Sequence, residues 1–291
     1  MTTASSRRLG YLSWLYNPFQ RVDVPWVYDL LGTDVATERA LYLNLGYWDG
    51  AQSLDDACQA LVELVAEAAG MGPGDQVLDV GFGFGDQDLH WMDRYQPARI
   101  VGLNITASQV EVARGRVRSA GLAERIDLQL GSATAIPFPV GTFDKVVALE
   151  CAFHFVTREV FFAEASRVLR PGGRLVLADI LPLPPEPGRW GRLVQRWSWR
   201  EVARKFVIPS ANTYLRDRYA EKLAAQGFRV VRLESIRDRV YAPLHQYLRR
   251  HPEVVARLHP ATRLPITLAL KLEARTVYRG LDYLLAVAEK M

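Results

Sequence analysis

The chain has 291 residues, 49% hydrophobic and 23% charged, with 21 Gly and 16 Pro. That balance excludes disordered, collagen-like and coiled-coil proteins and leaves a globular chain able to bury a core. Its net charge of +4 hides a partition: residues 1–180 hold 15 Lys and Arg against 22 Asp and Glu, whereas residues 181–280 hold 20 against 8, so a basic segment follows an acidic one.

Arg7 and Arg8 precede LGYLSWLY, but Asn17-Pro18 ends that apolar stretch and no small-residue cleavage site follows, so no signal peptide is expected. Residues 9–50 are aromatic-rich and irregular and read as short helices and loops that cover something. Ser53 precedes LDDACQALVELVAEAAG, where Leu54, Cys58, Leu61 and Val65 share a face, Asp55 and Asp56 suit the first turn and Gly70 follows the last. This pattern predicts a helix. QVLDVGFGFG is a short apolar run ending in glycines, followed by a helical stretch through DLHWMDRY. RIVGLNI reads as a second strand, and TASQVEVARGRVRSAGL as a helix opened by a Thr106/Gln109 capping box. IDLQLGSA, FDKVVALE and RLVLADI supply strands three to five, with the helix TREVFFAEASRVLRPGG before the fifth. After Ile180 the proline-rich LPLPPEP breaks the rhythm. Residues 188–226 and 244–279 then read as helices, FRVVRLESI as a sixth strand and LDYLLAVAEK as the last. The alternation predicts an α/β fold, a doubly wound, seven-stranded, mostly parallel sheet with its ligands at the carboxyl edge of the strands. No uncharged apolar run reaches about 18 residues, so no membrane span is expected. Cys58 and Cys151 can form neither a disulfide framework nor a metal knuckle, and each is expected to be a buried thiol in a reducing cytoplasm.

The sharpest local signal is Asp79-Val80-Gly81-Phe82-Gly83-Phe84-Gly85 after the first strand. A pyrophosphate fingerprint G-x-G-x-x-G would need a third glycine at position 86, where Asp86 stands. An acid at that helix start also repels a diphosphate and suits a cationic or neutral ligand. In D-x-G-x-G-x-G the glycines let backbone approach a ligand closely and the carboxylate can meet a positive group, a description that fits the sulfonium, amine and ribose of S-adenosylmethionine. A ligand-free βα turn is the plainer alternative.

At this point the chain resembles the class I S-adenosylmethionine-dependent methyltransferases, small-molecule branch. VLDVGFGFG looks like their first motif, VGLNITASQVEVAR like the second-strand region, GSATAIPFPVGTFDKVVALE like the adenine side and fourth strand, and RVLRPGGRLVLADI like the turn into the fifth; YLNLGYWDG looks like the leader of sugar, macrolide, tocopherol and lipid methyltransferases. The resemblance implies that Asp79, Gly81, Gly83, Gly85 and Tyr47 contact the cofactor, that Asn104 faces its ribose with Gln109 nearby, and that Ser132 and Ala133 meet the adenine. Many members carry Asp or Glu where Asn104 stands, and an acid where Ser132 stands. It also implies a helical cover over residues 1–52, a cofactor-binding core over 53–180, a basic helical acceptor region with the sixth strand over 181–279, and a final core strand over 280–291.

Methyl transfer to a hydroxyl benefits from a nearby base. His154, just beyond the fourth strand, and Asp179, near the end of the fifth, project toward one edge, and sugar O-methyltransferases use His and Asp in these regions; a satisfied core histidine is the plainer reading. Glu150, among Cys151, Phe153 and Phe155, could bind the cofactor's ammonium or stabilise a carbocation beside aromatic rings, or could simply pair with an arginine. RWGRLVQRWSWREVARKF spaces Trp190, Leu193, Val194 and Trp197 at helical intervals among Arg189, Arg192, Arg196, Arg200 and Arg204. Three readings of this lid stay open: a solvated lid, a lid for a lipophilic or anionic acceptor, and a membrane-surface helix. Nucleic acid is not expected, because no reading motif accompanies the charge, nor is a metal site. The expected function is methylation of a small lipophilic natural-product or lipid acceptor, at oxygen before carbon. C-methylation of a prenyl diphosphate and a cofactor-bound scaffold without methyl transfer are the alternatives.

Overall fold

The computed structural model describes residues 4–17, 19–35 and 37–291. Seven strands, β1 (Gln76–Val80), β2 (Arg99–Asn104), β3 (Ile126–Leu130), β4 (Phe143–Leu149), β5 (Leu169–Pro182), β6 (Phe228–Ser235) and β7 (Leu281–Lys290), form one sheet in the order β3-β2-β1-β4-β5-β7-β6. The first five strands pair in parallel, and β7 inserts antiparallel between β5 and β6. Around the sheet lie α1 (Ala4–Tyr16), α2 (Val24–Leu31), α3 (Leu54–Ala69), α4 (Asp86–Arg94), α5 (Ala107–Ser119), α6 (Arg158–Val168), α7 (Arg189–Lys205), α8 (Arg216–Ala225), α9 (Tyr241–Arg250), α10 (Pro252–Arg257), α11 (Pro260–Lys271) and α12 (Ala274–Val277).

The two-residue period of the strands divides the core into two layers. Val77, Ile100, Ile126, Val147 and Val176 pack on one face with Leu61 and Val65 of α3 and Val110 and Val117 of α5. Their chain neighbours Leu78, Val101, Val146 and Leu175 pack on the other with Phe161 and Phe162 of α6 and Tyr219 and Leu223 of α8. Both faces of β7 are covered, which is why YLLAVA, Tyr283 to Ala288, is an unbroken apolar run rather than an alternating one.

Helix α3 is capped as its sequence requires: Ser53 accepts from the Asp56 N–H, and Gly70 closes the helix in the left-handed conformation. The capping box expected at Thr106 does not form; Thr106 makes no side-chain cap bond, and Gln109 is drawn instead to Asn104 Nδ2, 2.9 Å from its Oε1. Helix α6 stops at Val168, short of the glycines that were expected to end it, because Leu169 already pairs with Phe143 of β4. Cys58 and Cys151 are free, buried thiols. Among the described residues no helix is long and apolar enough to cross a membrane.

The aromatic N-terminal region builds a small core of its own from Tyr11, Trp14, Val27, Leu30 and Leu31. It is fastened to α7 by Trp14 Nε1 on the Lys205 carbonyl (2.9 Å) and by Arg204, whose guanidinium donates to the carbonyls of Trp14 and Leu15 (3.3 Å each). Tyr11 also stacks on His259, centroids 3.8 Å apart. Pro18 and the Arg7 side chain, both used in the signal-peptide argument, lie outside the described residues. In α7 the stripe Trp190, Leu193 and Trp197 faces solvent, whereas Gln195 and Trp199 are buried and Val202, Ala203 and Phe206 pack against the core. The helix therefore carries apolar groups on two faces, and the one that meets the interior is not the stripe that stands out in the sequence.

Candidate active site

The carboxyl ends of β1, β2 and β4 open onto a cavity of about 1020 Å³. Its sheet-side wall begins at the glycine loop, where Gly81, Gly83 and Gly85 all have positive φ. A Cβ on Gly81 would fall 2.6 Å from Cys151 Cβ, whereas one on Gly83 would meet only Leu43 at 3.5 Å. Gly81 is thus required by close packing, and Gly83 leaves backbone bare on the cavity wall. Gly85, expected at the cofactor, precedes α4 and does not line the cavity; a Cβ there would stand 3.2 Å from Ala113 Cβ, so it too is held by close packing.

Asn104, Gln109, Ser132 and Ala133 line the same end. Asn104 donates to Gln109 and accepts from the Thr106 N–H, and Gln109 Nε2 is buried without a partner. Ser132 shares a 2.9 Å hydrogen bond with Thr134. Two further residues expected at the cofactor lie off the cavity wall. Asp79 does not reach the cavity; strand alternation turns it to the face covered by α4, where Oδ2 accepts from Gln87 Nε2 at 2.6 Å and burial beside Asp88 raises both carboxyls above the ordinary range. Tyr47 packs against the core and its N–H bonds the Ala57 carbonyl, while Tyr42 lines the cavity. Asp86, read above as a negative charge at the helix start, is paired with Arg116 through a two-point bridge (Nη2 to Oδ1, 2.6 Å).

Tyr28 of α2, His154, Phe206 and residues of α9 and α11 also wall the cavity. His154 Nε2 lies 3.0 Å from the Tyr28 hydroxyl. Burial lowers its pKa to about 3, partly offset by the Phe206 backbone, while burial raises that of Tyr28. Both groups are neutral at physiological pH, and the direction of the hydrogen bond they share follows the imidazole tautomer. Glu150 ends β4 at φ +51°, a conformation costly for a non-glycine residue and one that turns it onto the cavity wall. Its Oε1 accepts from the Leu45 N–H at 2.7 Å and from the Tyr283 hydroxyl, not from an arginine, and burial pushes its pKa up to about 7.

Asp179 also departs from expectation. Convergence with His154 was expected, yet Asp179 is fully buried and off the cavity wall, where it binds Arg158 (2.8 and 3.2 Å), the Tyr219 hydroxyl (3.0 Å) and the Ile180 N–H. The partner it took, Arg158, lies four residues beyond His154 and is also fully buried. Asn212 completes this cluster: its Oδ1 accepts from the Arg158 N–H, and its Nδ2 donates to the carbonyls of Phe153 (3.0 Å) and Phe155 (2.7 Å), which flank His154. Tyr28 and Asn212 carry no sequence signal, because 126 and 58 residues of chain separate them from His154. Among the described residues no cluster suited to a metal ion occurs.

A parallel sheet with one antiparallel strand second from its edge, and a glycine loop opening into an apolar chamber, belong to the class I methyltransferase fold. Residues 78–177 match the family model described as a methyltransferase domain. Erythromycin 3''-O-methyltransferase of Saccharopolyspora erythraea is 43% identical over 225 residues, 76% of this chain and 72% of the relative. The chain belongs to the S-adenosylmethionine-dependent methyltransferases and is related to natural-product O-methyltransferases; its cofactor is S-adenosyl-L-methionine. At the level of fold it is similar to the solved cyclase SpnF (TM-score 0.66, 24% identity, 98% of this chain and 96% of that one). It is also similar to geranyl diphosphate methyltransferase in complex with S-adenosylmethionine (TM-score 0.66, 21% identity, 82% and 87%).

Proposed function

We propose that this enzyme methylates a hydroxyl oxygen of a large, lipophilic natural product, with a macrolide glycoside as the favoured substrate class. The observation that carries the reading is one continuous cavity of about 1020 Å³, at the upper end of ordinary small-molecule sites, which joins the glycine loop to a chamber walled by aromatic and aliphatic side chains. Similarity to an enzyme acting on erythromycin supports the class. Of the two arginines on the cavity wall, Arg204 is engaged by Glu201 and by carbonyls of α1, and Arg257 by Glu38. A diphosphate would have to displace those partners, so a lipophilic acceptor is favoured over an anionic one. Two buried free thiols fit work in a reducing cytoplasm.

The residues at the near end fit the cofactor: Gly83 leaves backbone exposed, and buried Gln109 Nε2 lacks a partner that a ribose hydroxyl would supply. Gly81, Gly83, Asn104, Gln109, Ser132 and Ala133 would hold it, with Asp79 and Gly85 supporting the loop from behind. Bound there, S-adenosylmethionine supplies an electrophilic methyl group. The chain's own task is to orient the acceptor, exclude water and take up the hydroxyl proton. His154 Nε2 is the acceptor atom for that proton, because it stands on the cavity wall and already shares a hydrogen bond with a hydroxyl, that of Tyr28. Glu150, with its raised pKa near 7, is the group on this wall able to hold a proton at working pH.

The test is incubation with methyl-labelled S-adenosylmethionine and a panel comprising a macrolide with a free sugar hydroxyl, the same macrolide already O-methylated, and geranyl diphosphate, read by mass spectrometry and product NMR. Label in an ether of the first compound alone is the expected result. A C-methylated prenyl product, or tight cofactor binding with no labelled product, would overturn the reading.

A further inference from the structure

Helix α7 is two-sided in an unusual way: its inner face, with Phe206 just beyond its end, roofs the cavity through Val202 and Ala203, while its outer face is neither polar nor neutral. Trp190, Leu193 and Trp197 are 79%, 55% and 67% exposed. Successive residues turn about 100° around a helix, which sets these three within an arc of about 60° and sets Arg189, Arg196 and Arg200 within an adjoining arc of about 40°. All three arginines are exposed, and none has an ion-pair or hydrogen-bond partner among the described residues. The acidic residue on the same stretch, Glu201, is already bridged to Arg204.

From this juxtaposition we propose that the outer face of α7, formed by Trp190, Leu193 and Trp197 beside Arg189, Arg196 and Arg200, docks the enzyme on an anionic phospholipid bilayer. Each half of the face asks for a different part of that surface. Indole rings combine an apolar body with an N–H donor and settle at the level of lipid headgroups, where neither water nor hydrocarbon satisfies both. Guanidinium groups bind phosphate oxygens, reaching them with alkyl stems that stay on the apolar side. Association then scales with buried apolar area plus the attraction of the unpaired cations for anionic lipid. A second copy of the chain is a poorer occupant, since a two-fold contact across this face would bring the same three unpaired cations against each other. Docking on a bilayer would hold the roof of the acceptor chamber at the phase into which a lipophilic acceptor partitions. The proposal concerns the exterior of the protein and does not depend on which acceptor is methylated.

The experiment is co-sedimentation of the full-length protein with vesicles of phosphatidylcholine and phosphatidylglycerol (3:1, about the anionic fraction of a charged leaflet) and with phosphatidylcholine alone. The double variant Trp190→Ala/Trp197→Ala and the triple variant Arg189→Glu/Arg196→Glu/Arg200→Glu are run beside the wild type. S-Adenosylmethionine affinity of each variant serves as the folding control, because none of the five residues lines the cavity. The wild type is expected to bind anionic vesicles at least about tenfold better than neutral ones, to be released by salt, and to lose that margin in both variants. Absence of vesicle binding by the wild type, or equal binding to both vesicle types, overturns the proposal. So does a wild-type dimer in sedimentation velocity that the tryptophan variant converts to monomer without any vesicle binding, since the face would then be a self-association surface.

Discussion

His154 and Glu150 stand on the same cavity wall with their proton affinities shifted in opposite directions by one cause. Burial penalises whichever form carries charge, so the imidazole drops from an ordinary value of 6.5 to about 3 and the carboxyl rises from 4.5 to about 7. For Glu150 the folded state binds a proton that the unfolded state has released between pH 4.5 and about 7, so its contribution to stability falls as pH rises through that window and stays low above it. Glu150→Gln should therefore raise the melting temperature at pH 8, by a free energy on the order of 3 kcal/mol at most, and leave it nearly unchanged at pH 4. Equal gains at both pH values would remove ionisation as the cause. For His154 the sign reverses: its contribution is complete above the unfolded value near 6.5 and is lost as pH falls toward 3. His154→Ala should flatten that acid limb. It should also lower turnover on the true acceptor by at least about tenfold with cofactor affinity, measured by calorimetry, unchanged; wild-type turnover would exclude the residue as the proton acceptor.

Between strand β4 and helix α6 the chain must hold His154 against the cavity with no regular pairing to fix it. Arg158 and Asn212 supply that fixation from behind, binding Asp179 and the carbonyls on either side of the histidine. Because Arg158 and Asp179 are both fully buried, Arg158→Leu leaves an uncompensated carboxylate in the interior and should cost about 3–5 kcal/mol in urea unfolding. Replacing Asp179 by Asn in the same background should recover much of that loss, and a failure to recover it would mean that the arginine acts through packing. This element was half legible in sequence. His154 and Asp179 stand out by position after their strands, but the parity of β5 and the arginine waiting four residues past His154 decide that the pair does not form. A pattern of residue types along the chain cannot say which of two nearby cations or imidazoles a carboxylate will take.

Across the whole molecule the acceptor chamber is assembled from segments nearly the full chain length apart. The sheet supplies the floor, residues 24–45 one wall, and α7 with α9 to α11 the roof. Arg204 joins cover to roof by donating to the carbonyls of Trp14 and Leu15. Arg204→Ala should accordingly raise the KM for a bulky acceptor several-fold while leaving S-adenosylmethionine affinity as it was, since its partners are Trp14, Leu15, Asn17 and Glu201 and not the glycine loop; a parallel loss in both would indicate general unfolding of the cover.

The sheet, its winding and the cofactor loop were determined by sequence alone. The two-residue and 3.6-residue periods, the glycine spacing after β1 and the capping of α3 are local properties, and each is enforced by backbone geometry within a few residues. Gly81, Gly83, Asn104, Gln109, Ser132 and Ala133, named from the resemblance to the family, all line the cavity. Only the tertiary structure decided the rest. It turned Asp79 and Tyr47 away from the cavity, gave Asp179 to Arg158, brought Tyr28 to His154 across 126 residues, and left the tryptophan stripe of α7 facing outward. These outcomes depend on which long-range partner satisfies a buried charge or fills a particular volume. That choice is made by the folded interior as a whole, where an unpaired polar group costs more than any local preference can return.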